Sequence, residues 1–156
     1  DSKVTKKYHN WILFRYGEIL LNYAEAMINA FNDPNYKNAE LKMSALEAVN
    51  LVRDRSDVKM PLLPDNLNAD DFLKRVKNER RVELAFEGHR FWDLRRWKAL
   101  DETTNIYGVK VEKSGEGFKY TKFLFANRTI TDNLYFYPIS NLERYKNLNL
   151  GQNPGW

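Results

Sequence analysis

The chain has 156 residues, of which 43% are hydrophobic, 14% aromatic and 29% charged. This composition excludes disorder along most of its length. It contains no cysteine, which excludes disulfides, thiolate metal sites and a cysteine nucleophile. Lysine and arginine outnumber acidic residues by 25 to 21. In residues 70–98, where basic residues are most frequent, acidic residues are interspersed among them. Such a surface does not favour nucleic-acid binding.

A pair of helices is predicted at the start of the chain, over about residues 11–55. Apolar residues at helical spacing predict the first helix over residues 11–31, with Asn10 as its N-cap. A second apolar pattern predicts a helix over residues 38–55. Because the connection is short, we expect the two helices to run antiparallel.

A second pair of helices is predicted over about residues 69–100. Asn68 is a typical N-cap for a helix that extends to about residue 86. The run Val82–Phe86 is apolar on nearly every side, which predicts deep burial of the second half of that helix. Gly88 breaks the pattern, and an aromatic-rich helix follows it.

From residue 101 onward the apolar spacing changes to a period of two. The segments 109–111 and 118–120 predict a β-hairpin that turns at residues 114–117. The remaining residues, up to 156, predict an ordered coil. The expected fold class is therefore mainly α, followed by an irregular, aromatic-rich segment with a short hairpin.

Paired carboxylates are the strongest candidate for catalysis. If the helix extends to residue 87, Glu83 and Glu87 share one of its faces, as acid–base or metal-binding pairs do. However, the chain has only two histidines, and neither lies three residues after a glutamate, so no metal site or cofactor is predicted. His89 has no serine or cysteine partner motif, which favours a structural role. We predict no catalytic residue.

The alternative for the charged block is a structural ion network in which glutamates pair with neighbouring arginines. Its predicted members are Glu79, Arg80, Glu83, Glu87, Arg90, Asp93 and Arg96.

Aromatic residues in the C-terminal third suggest a different kind of site. Exposed rings stack on sugars or bases, and neighbouring amides supply hydrogen bonds. Tyr107, Tyr120 and Phe123 are the candidate ligand-binding residues. The competing interpretation is that these rings pack the irregular segment onto the helices.

Several ordered motifs resemble the C-terminal region of the SusD/RagB family. They are residues 15–26 (RYGEILLNYAEA), 48–55 (AVNLVRDR), 79–97 (ERRVELAFEGHRFWDLRRW), 137–139 (YPI) and 152–156 (QNPGW). The departures are Ser140, where the family often has proline, and Trp156, where tyrosine is usual. Tryptophan keeps a large ring with a hydrogen-bond donor, so we expect its docking role to survive.

The resemblance implies tetratricopeptide-like helix pairs within a single C-terminal domain that belongs to a longer protein. It implies non-catalytic capture of oligosaccharides or polysaccharides on the outward face of the outer membrane. It also implies delivery to a TonB-dependent barrel, with membrane attachment only through a lipid anchor that this chain lacks. The alternative function is a protein-interaction scaffold that contacts the transporter, or the missing N-terminal part, without touching sugar.

Overall fold

A computed structural model describes residues 13–156 of the chain. Within this range, the helices are α1 (Tyr16–Phe31), α2 (Ala45–Arg53), α3 (Ala69–Glu83), α4 (His89–Arg96) and α5 (Asn141–Lys146). Two short 3-10 helices cover Leu100–Thr103 and Asp132–Tyr135. The strands β1 (Asn105–Ser114) and β2 (Gly117–Asn127) pair antiparallel. The prediction of a mainly helical fold with a hairpin is confirmed.

The chain divides into two compact units. The first ends at His89 and contains α1, α2 and α3, and the second is Arg90–Trp156.

Helix α1 is shorter at its start than the sequence pattern predicts. Arg15 is extended, with φ of −140° and ψ of 155°, so the helix begins at Tyr16. The predicted N-cap Asn10 lies outside the described residues. The helix ends at Phe31, where Asn32 takes a left-handed conformation and donates its backbone N–H to Ile28, as asparagine commonly does after a last helical turn.

Helix α2 begins at Ala45, not at residue 38, because two local hydrogen-bonding groups hold the preceding segment in turns. The side chain of Asn38 accepts backbone N–H groups from Glu40 and Leu41. Ser44 and Glu47 then form a capping box. The Glu47 side chain accepts the backbone N–H of Ser44 at 2.8 Å, and the Ser44 hydroxyl accepts the backbone N–H of Glu47 at 3.1 Å. The box fixes the first turn of the helix.

Helix α3 begins as predicted and ends earlier. The side chain of Asn68 accepts the backbone N–H of Asp71 at 2.9 Å, which confirms the N-cap. The predicted deep burial of residues 82–86 is wrong. Leu84 is buried, whereas Val82 is 64% exposed and Phe86 is fully exposed at a positive φ of 65°. The helix ends at Glu83, so the apolar residues after it lie in a turn and share no helical face. For the same reason Glu87 does not share a helix face with Glu83, contrary to the prediction from the sequence pattern.

The core of the first unit lies where α1 packs against α2 and α3. Leu21, Ala24, Val49, Phe72 and Val76 are completely buried there. Like Ala24 of α1, the small side chains of Ala45 and Ala48 of α2 are completely buried. This unit therefore has a continuous apolar core of the kind that stabilises a helical domain.

The hairpin of the second unit is longer than predicted. Its register runs from Ser114 opposite Gly117 at the turn to Asn105 opposite Asn127 at the open end. Opposite Ile106 and Tyr107 the second strand contains one extra residue, Phe125, which forms a β-bulge. Each strand thus has ten or eleven residues, more than the three that the alternating pattern marked.

The C-terminal segment is ordered through side-chain hydrogen bonds. Gln152 accepts the backbone N–H of Ile139 at 2.7 Å and donates to its carbonyl at 3.0 Å. The Trp156 indole donates to the carbonyls of Asn133 and Phe136, as expected for a docked ring with a donor. The predicted coil is interrupted by α5. The hydroxyl of its N-cap residue, Ser140, accepts a hydrogen bond from the backbone N–H of Leu142.

Candidate functional site

The carboxylate of Glu83 joins three parts of the helical unit. It accepts a hydrogen bond from Arg15, just before α1, at 2.6 Å. It also accepts two from Arg55, which follows α2. Its side chain is only 12% exposed. The carboxylate therefore compensates two guanidinium groups at a point where separate helices meet.

Neighbouring acidic residues on or after α3 are paired in the same way. The Glu87 carboxylate accepts a hydrogen bond from Nε of Arg15 at 2.8 Å, and the Glu79 carboxylate accepts one from the Arg53 guanidinium of α2. Arg80 donates to Asn22 of α1 at 2.5 Å and lies 3.9 Å from Glu25. The residues in each of these pairs are between 26 and 72 positions apart in the sequence. The contacts therefore join separate segments of the chain and do not lie within one helix.

The glutamates have different partners from those predicted. The sequence interpretation paired Glu79, Glu83 and Glu87 with arginines of their own block. The structure pairs them with Arg15, Arg53 and Arg55. The signal for these partners lay in the RYGE and VRDR motifs, but sequence spacing alone does not indicate which distant helices meet.

The other predicted members of the ion network belong to the second unit. Arg90 donates to Glu102 at 2.9 Å, and Arg96 contacts the buried Asp93 at 2.8 Å. The predicted members therefore lie in two compact units, with local pairs in the second.

The geometry around Glu83 and Glu87 does not resemble that of a hydrolytic pair. A general acid must offer a proton, and a nucleophile needs a free oxygen. Here both carboxylates accept hydrogen bonds from guanidinium groups. The bond to Glu87 raises the pKa of Arg15 above its ordinary value, so that side chain keeps its charge.

His89 has an acidic neighbour, with its Nε2 3.7 Å from Glu18. No group of three or more metal-ligating side chains occurs among residues 13–156. In the same range, none of the helices has the length and hydrophobicity to cross a membrane.

The hairpin separates the three candidate ligand-binding residues. Directly opposite residues share a face, and neighbours along a strand alternate between faces. Tyr107 lies opposite Leu124 and Tyr120 opposite Val111, which places both tyrosines on one face. Phe123 lies opposite Gly108, on the other face. The structure brings two of the three candidates together and leaves Phe123 apart.

Phe123 covers the backbone of its glycine neighbour. A Cβ at Gly108 would lie 2.8 Å from the Phe123 ring, so only glycine permits this close approach. Phe125 lies edge-on to the same ring, with centroids 6.4 Å apart. Phe123 is thus partly used in packing the hairpin.

The face that carries Tyr107 and Tyr120 is hereafter the tyrosine–lysine face. Its other members are Val109, Val111, Lys113, Phe118, Lys122 and Leu124. Tyr107 is 53% exposed and Tyr120 67%. The Lys122 ammonium lies 3.9 Å from the centroid of the Tyr107 ring, close enough for a cation–π interaction. Sequence reasoning missed Lys113 and Lys122, although Lys122 lies only two positions after Tyr120 and therefore on the same side of a strand.

A second exposed aromatic group lies at α4. The rings of Phe91, Trp92 and Tyr137 have centroids 5.1 to 5.7 Å apart. The Arg95 guanidinium lies 3.5 Å from the Phe91 centroid. Since Trp92 and Tyr137 are both exposed, the second unit presents rings in two separate places.

Comparison with known proteins shows a family that fits this architecture. The sequence profile of the SusD family matches residues 1–156. SusD-like protein P2 of Formosa agariphila is 31% identical over 153 residues, which cover 94% of this chain and 26% of that protein. SusD-like protein P38 of the same organism is 37% identical over 111 residues, or 67% of this chain and 20% of that protein.

Solved structures agree with these relatives. A SusD-like protein from Bacteroides fragilis matches all of this chain and 28% of its own length, with a TM-score of 0.79 and 32% identity. A SusD homologue from Bacteroides thetaiotaomicron matches 99% of this chain and 30% of its own, with a TM-score of 0.67 and 28% identity.

The chain therefore spans between a fifth and a third of the length of these relatives. Its helix pairs fit the tetratricopeptide-like fold of the solved structures. Because both the family profile and the relatives cover nearly all of its residues, the chain belongs to the SusD family.

Proposed function

We propose that the protein captures glycans at the cell surface and delivers them to a TonB-dependent transporter in the outer membrane. The observation that carries this proposal is the match of the family profile to every residue of the chain. In this proposal the protein faces outward from the outer membrane, to which a lipid anchor attaches it. The 156 residues then form a single functional domain of a longer protein.

The tyrosine–lysine face supports the binding part of this proposal. Sugar rings have apolar faces that stack on exposed aromatic side chains, and neighbouring polar groups fix their orientation. Tyr107 and Tyr120 are more than half exposed on one regular surface. A shallow platform with few polar anchors gives weak binding, in the range of about micromolar to millimolar.

The proposed activity is binding without bond cleavage. The pairing of Glu83 and Glu87 with Arg15 and Arg55 supports this, because their oxygens compensate fixed positive charges. In the proposal these carboxylates join α3 to the segments around α1 and α2. They hold the helical unit together and do not contact the ligand.

Native affinity electrophoresis against a panel of soluble polysaccharides tests the proposal. We expect at least one polysaccharide to retard the folded chain, and we expect unchanged polymer length after prolonged incubation. If neither the chain nor its full-length parent is retarded by any polysaccharide, glycan capture is wrong. Shortened polymer chains would instead show hydrolysis. Co-purification of the full-length protein with its outer-membrane barrel tests delivery.

The alternative function is a scaffold that contacts the transporter or another part of the protein, and one observation favours it. Tyr16, Ile19 and Leu51 are about half exposed or more. A cavity of about 520 Å³ lies among Tyr16, Leu20, Leu51 and Val52. Exposed apolar side chains around a groove are typical of a surface that packs against another element.

The double substitution Tyr16→Ser and Leu51→Ser, at two exposed residues that line the cavity, tests this alternative in the full-length protein. We expect it to reduce co-purification with the barrel, or to loosen the rest of the protein against limited proteolysis, while polysaccharide binding persists. Unchanged assembly and unchanged proteolysis would remove the support for a scaffold role of this groove.

A further inference from the structure

The two faces of the hairpin differ in how their charges are compensated. On the face opposite the tyrosines, Lys110 forms an ion pair with Glu112 at 2.9 Å, and Lys119 lies directly across from Glu112. The tyrosine–lysine face contains Lys113 and Lys122 and no acidic residue. Its positive charge is therefore uncompensated by the side chains that share the face.

The charge of the whole chain shows the same asymmetry. Residues 1–89 contain fourteen basic residues (lysine or arginine) and fourteen acidic residues. Residues 90–156 contain eleven basic and seven acidic residues. The entire formal net charge of +4 thus belongs to the second unit. A surface with one sign of charge attracts ligands of the opposite sign.

We propose that the tyrosine–lysine face binds acidic glycans. Tyr120 stacks against a sugar ring, and Lys113 and Lys122 pair with carboxylate or sulfate groups on neighbouring positions of the polymer. The inference rests on the proposed function and adds the chemical class of the glycan and the residues that select it.

The register places the two ammonium groups on either side of Tyr120. Lys122 lies two positions further along β2 on the same face, about 7 Å away along the strand. Lys113 lies two positions beyond Val111, the residue opposite Tyr120, and therefore flanks the ring in the other direction. A polymer that runs along the strands meets a cation, a ring and a second cation in order.

Tyr107 holds one of these cations in place. Its ring lies 3.9 Å from the Lys122 ammonium, an arrangement that limits the motion of a long side chain. Tyr107 is thus a positioning residue, and Tyr120, whose ring is the more exposed of the two, is the stacking residue.

Paired substitutions on the two hairpin faces separate this site from general attraction by a basic protein. Lys113→Gln with Lys122→Gln removes two charges from the tyrosine–lysine face. Lys110→Gln with Lys119→Gln removes the same number from the opposite face. All four residues are exposed, so we expect both variants to fold, as circular dichroism would verify.

The binding assay compares each acidic polymer with its neutral counterpart. Polygalacturonate and its methyl ester test carboxylate recognition, and dextran sulfate and dextran test sulfate recognition. We expect the chain to bind at least one acidic polymer more tightly than its counterpart, with weakening by added salt. The Lys113 and Lys122 variant should lose about fivefold to tenfold in affinity, and the Lys110 and Lys119 variant less than twofold.

Tyr120→Ala provides an independent reading of the stacking step. It should weaken binding of the acidic polymer without changing the net charge. Equal losses in the two lysine variants, or equally tight binding of a DNA duplex, would overturn the inference in favour of general polyanion attraction. Unchanged affinity in Tyr120→Ala would exclude stacking.

The same assay distinguishes failure of this inference from failure of the proposed function. Binding of a neutral polysaccharide, with no preference for acidic polymers, would overturn the acidic specificity and leave glycan capture standing. Absence of binding to any polysaccharide by the chain and its full-length parent would remove both.

Discussion

The two units of the chain use their large side chains in opposite ways. Up to His89, apolar residues such as Leu21, Val49 and Phe72 are completely buried, and the glutamates of α3 are paired with arginines of other segments. In Arg90–Trp156, the described side chains that are buried are Asp93, Leu94 and Leu100, while most aromatic rings remain exposed. The first unit therefore has a packed core, whereas the second leaves most of its large rings exposed.

The difference has a thermodynamic consequence. A two-stranded hairpin without a third strand or a packed face is only marginally stable in water. The hairpin here lacks a second layer among the described residues of its unit and carries rings on both faces. We therefore expect substitutions in the first unit to change the free energy of unfolding, and substitutions on the hairpin to change binding.

The largest expected effect follows from truncation of the core. Phe72→Ala should lower the free energy of unfolding by about 4 kcal/mol, because it removes a completely buried ring and leaves a cavity. Phe125→Ala is the matched control on the hairpin, where the ring is 70% exposed, and should cost less than about 1 kcal/mol. Urea denaturation of both variants measures the contrast, and equal losses would contradict it.

The ion pairs of the helical unit are expected to matter next. Glu83→Gln should lower the free energy of unfolding by about 3 kcal/mol, because it leaves Arg15 and Arg55 partly buried without their shared carboxylate. The control Glu143→Gln breaks only an exposed pair with Lys146 and should have little effect. Thermal melts monitored by circular dichroism test both. An unchanged melting temperature for Glu83→Gln would exclude a supporting role for that carboxylate.

A smaller effect is expected where the chain passes between α3 and α4. Gly88 has a φ of +81°, a conformation that costs other residues roughly 1–2 kcal/mol. Because nothing lies within 4 Å of a Cβ added there, the loss in Gly88→Val comes from the backbone alone. Gly151→Val, also in open space and without a positive φ, is the control. Equal melting temperatures of the two variants would refute the left-handed placement.

The smallest effect concerns the capping box of α2. A hydrogen bond from Lys37 lowers the pKa of Glu47 below its ordinary value of 4.5. A depressed folded-state pKa gives stability that is present above about pH 4.5 and is lost as pH falls through the folded value. Lys37→Gln should therefore move the pKa of Glu47 upward in an NMR titration. A titration curve that does not move would show that the ion pair is absent in solution.

The helical unit was largely predictable because its signals are local. The N-cap Asn68, the break at Gly88 and the apolar stripes depend on residues within a few positions of each other. The start of α2 was mispredicted at residue 38, although Ser44 and Glu47 have the spacing of a capping box that marks the true start. The burial of residues 82–86 was mispredicted because an apolar run does not show where a helix ends.

The candidate site was less predictable because it depends on pairing register and long-range contacts. The sequence marked Tyr107, Tyr120 and Phe123 as one group, but only the register shows that Phe123 lies on the other face. The same register reveals Lys113 and Lys122 beside Tyr120. The partners of Glu83 lie 28 and 68 positions away, and spacing within one helix does not identify them.

The most direct test of a glycan platform on the hairpin is the affinity of the 156-residue chain for polysaccharides, measured beside Tyr120→Ala. We expect at least one polymer to retard the chain in native affinity electrophoresis, and we expect Tyr120→Ala to abolish most of this retardation without lowering the melting temperature. Retardation that is identical in the two proteins, or that is absent from both, would contradict the placement of a glycan platform on this hairpin.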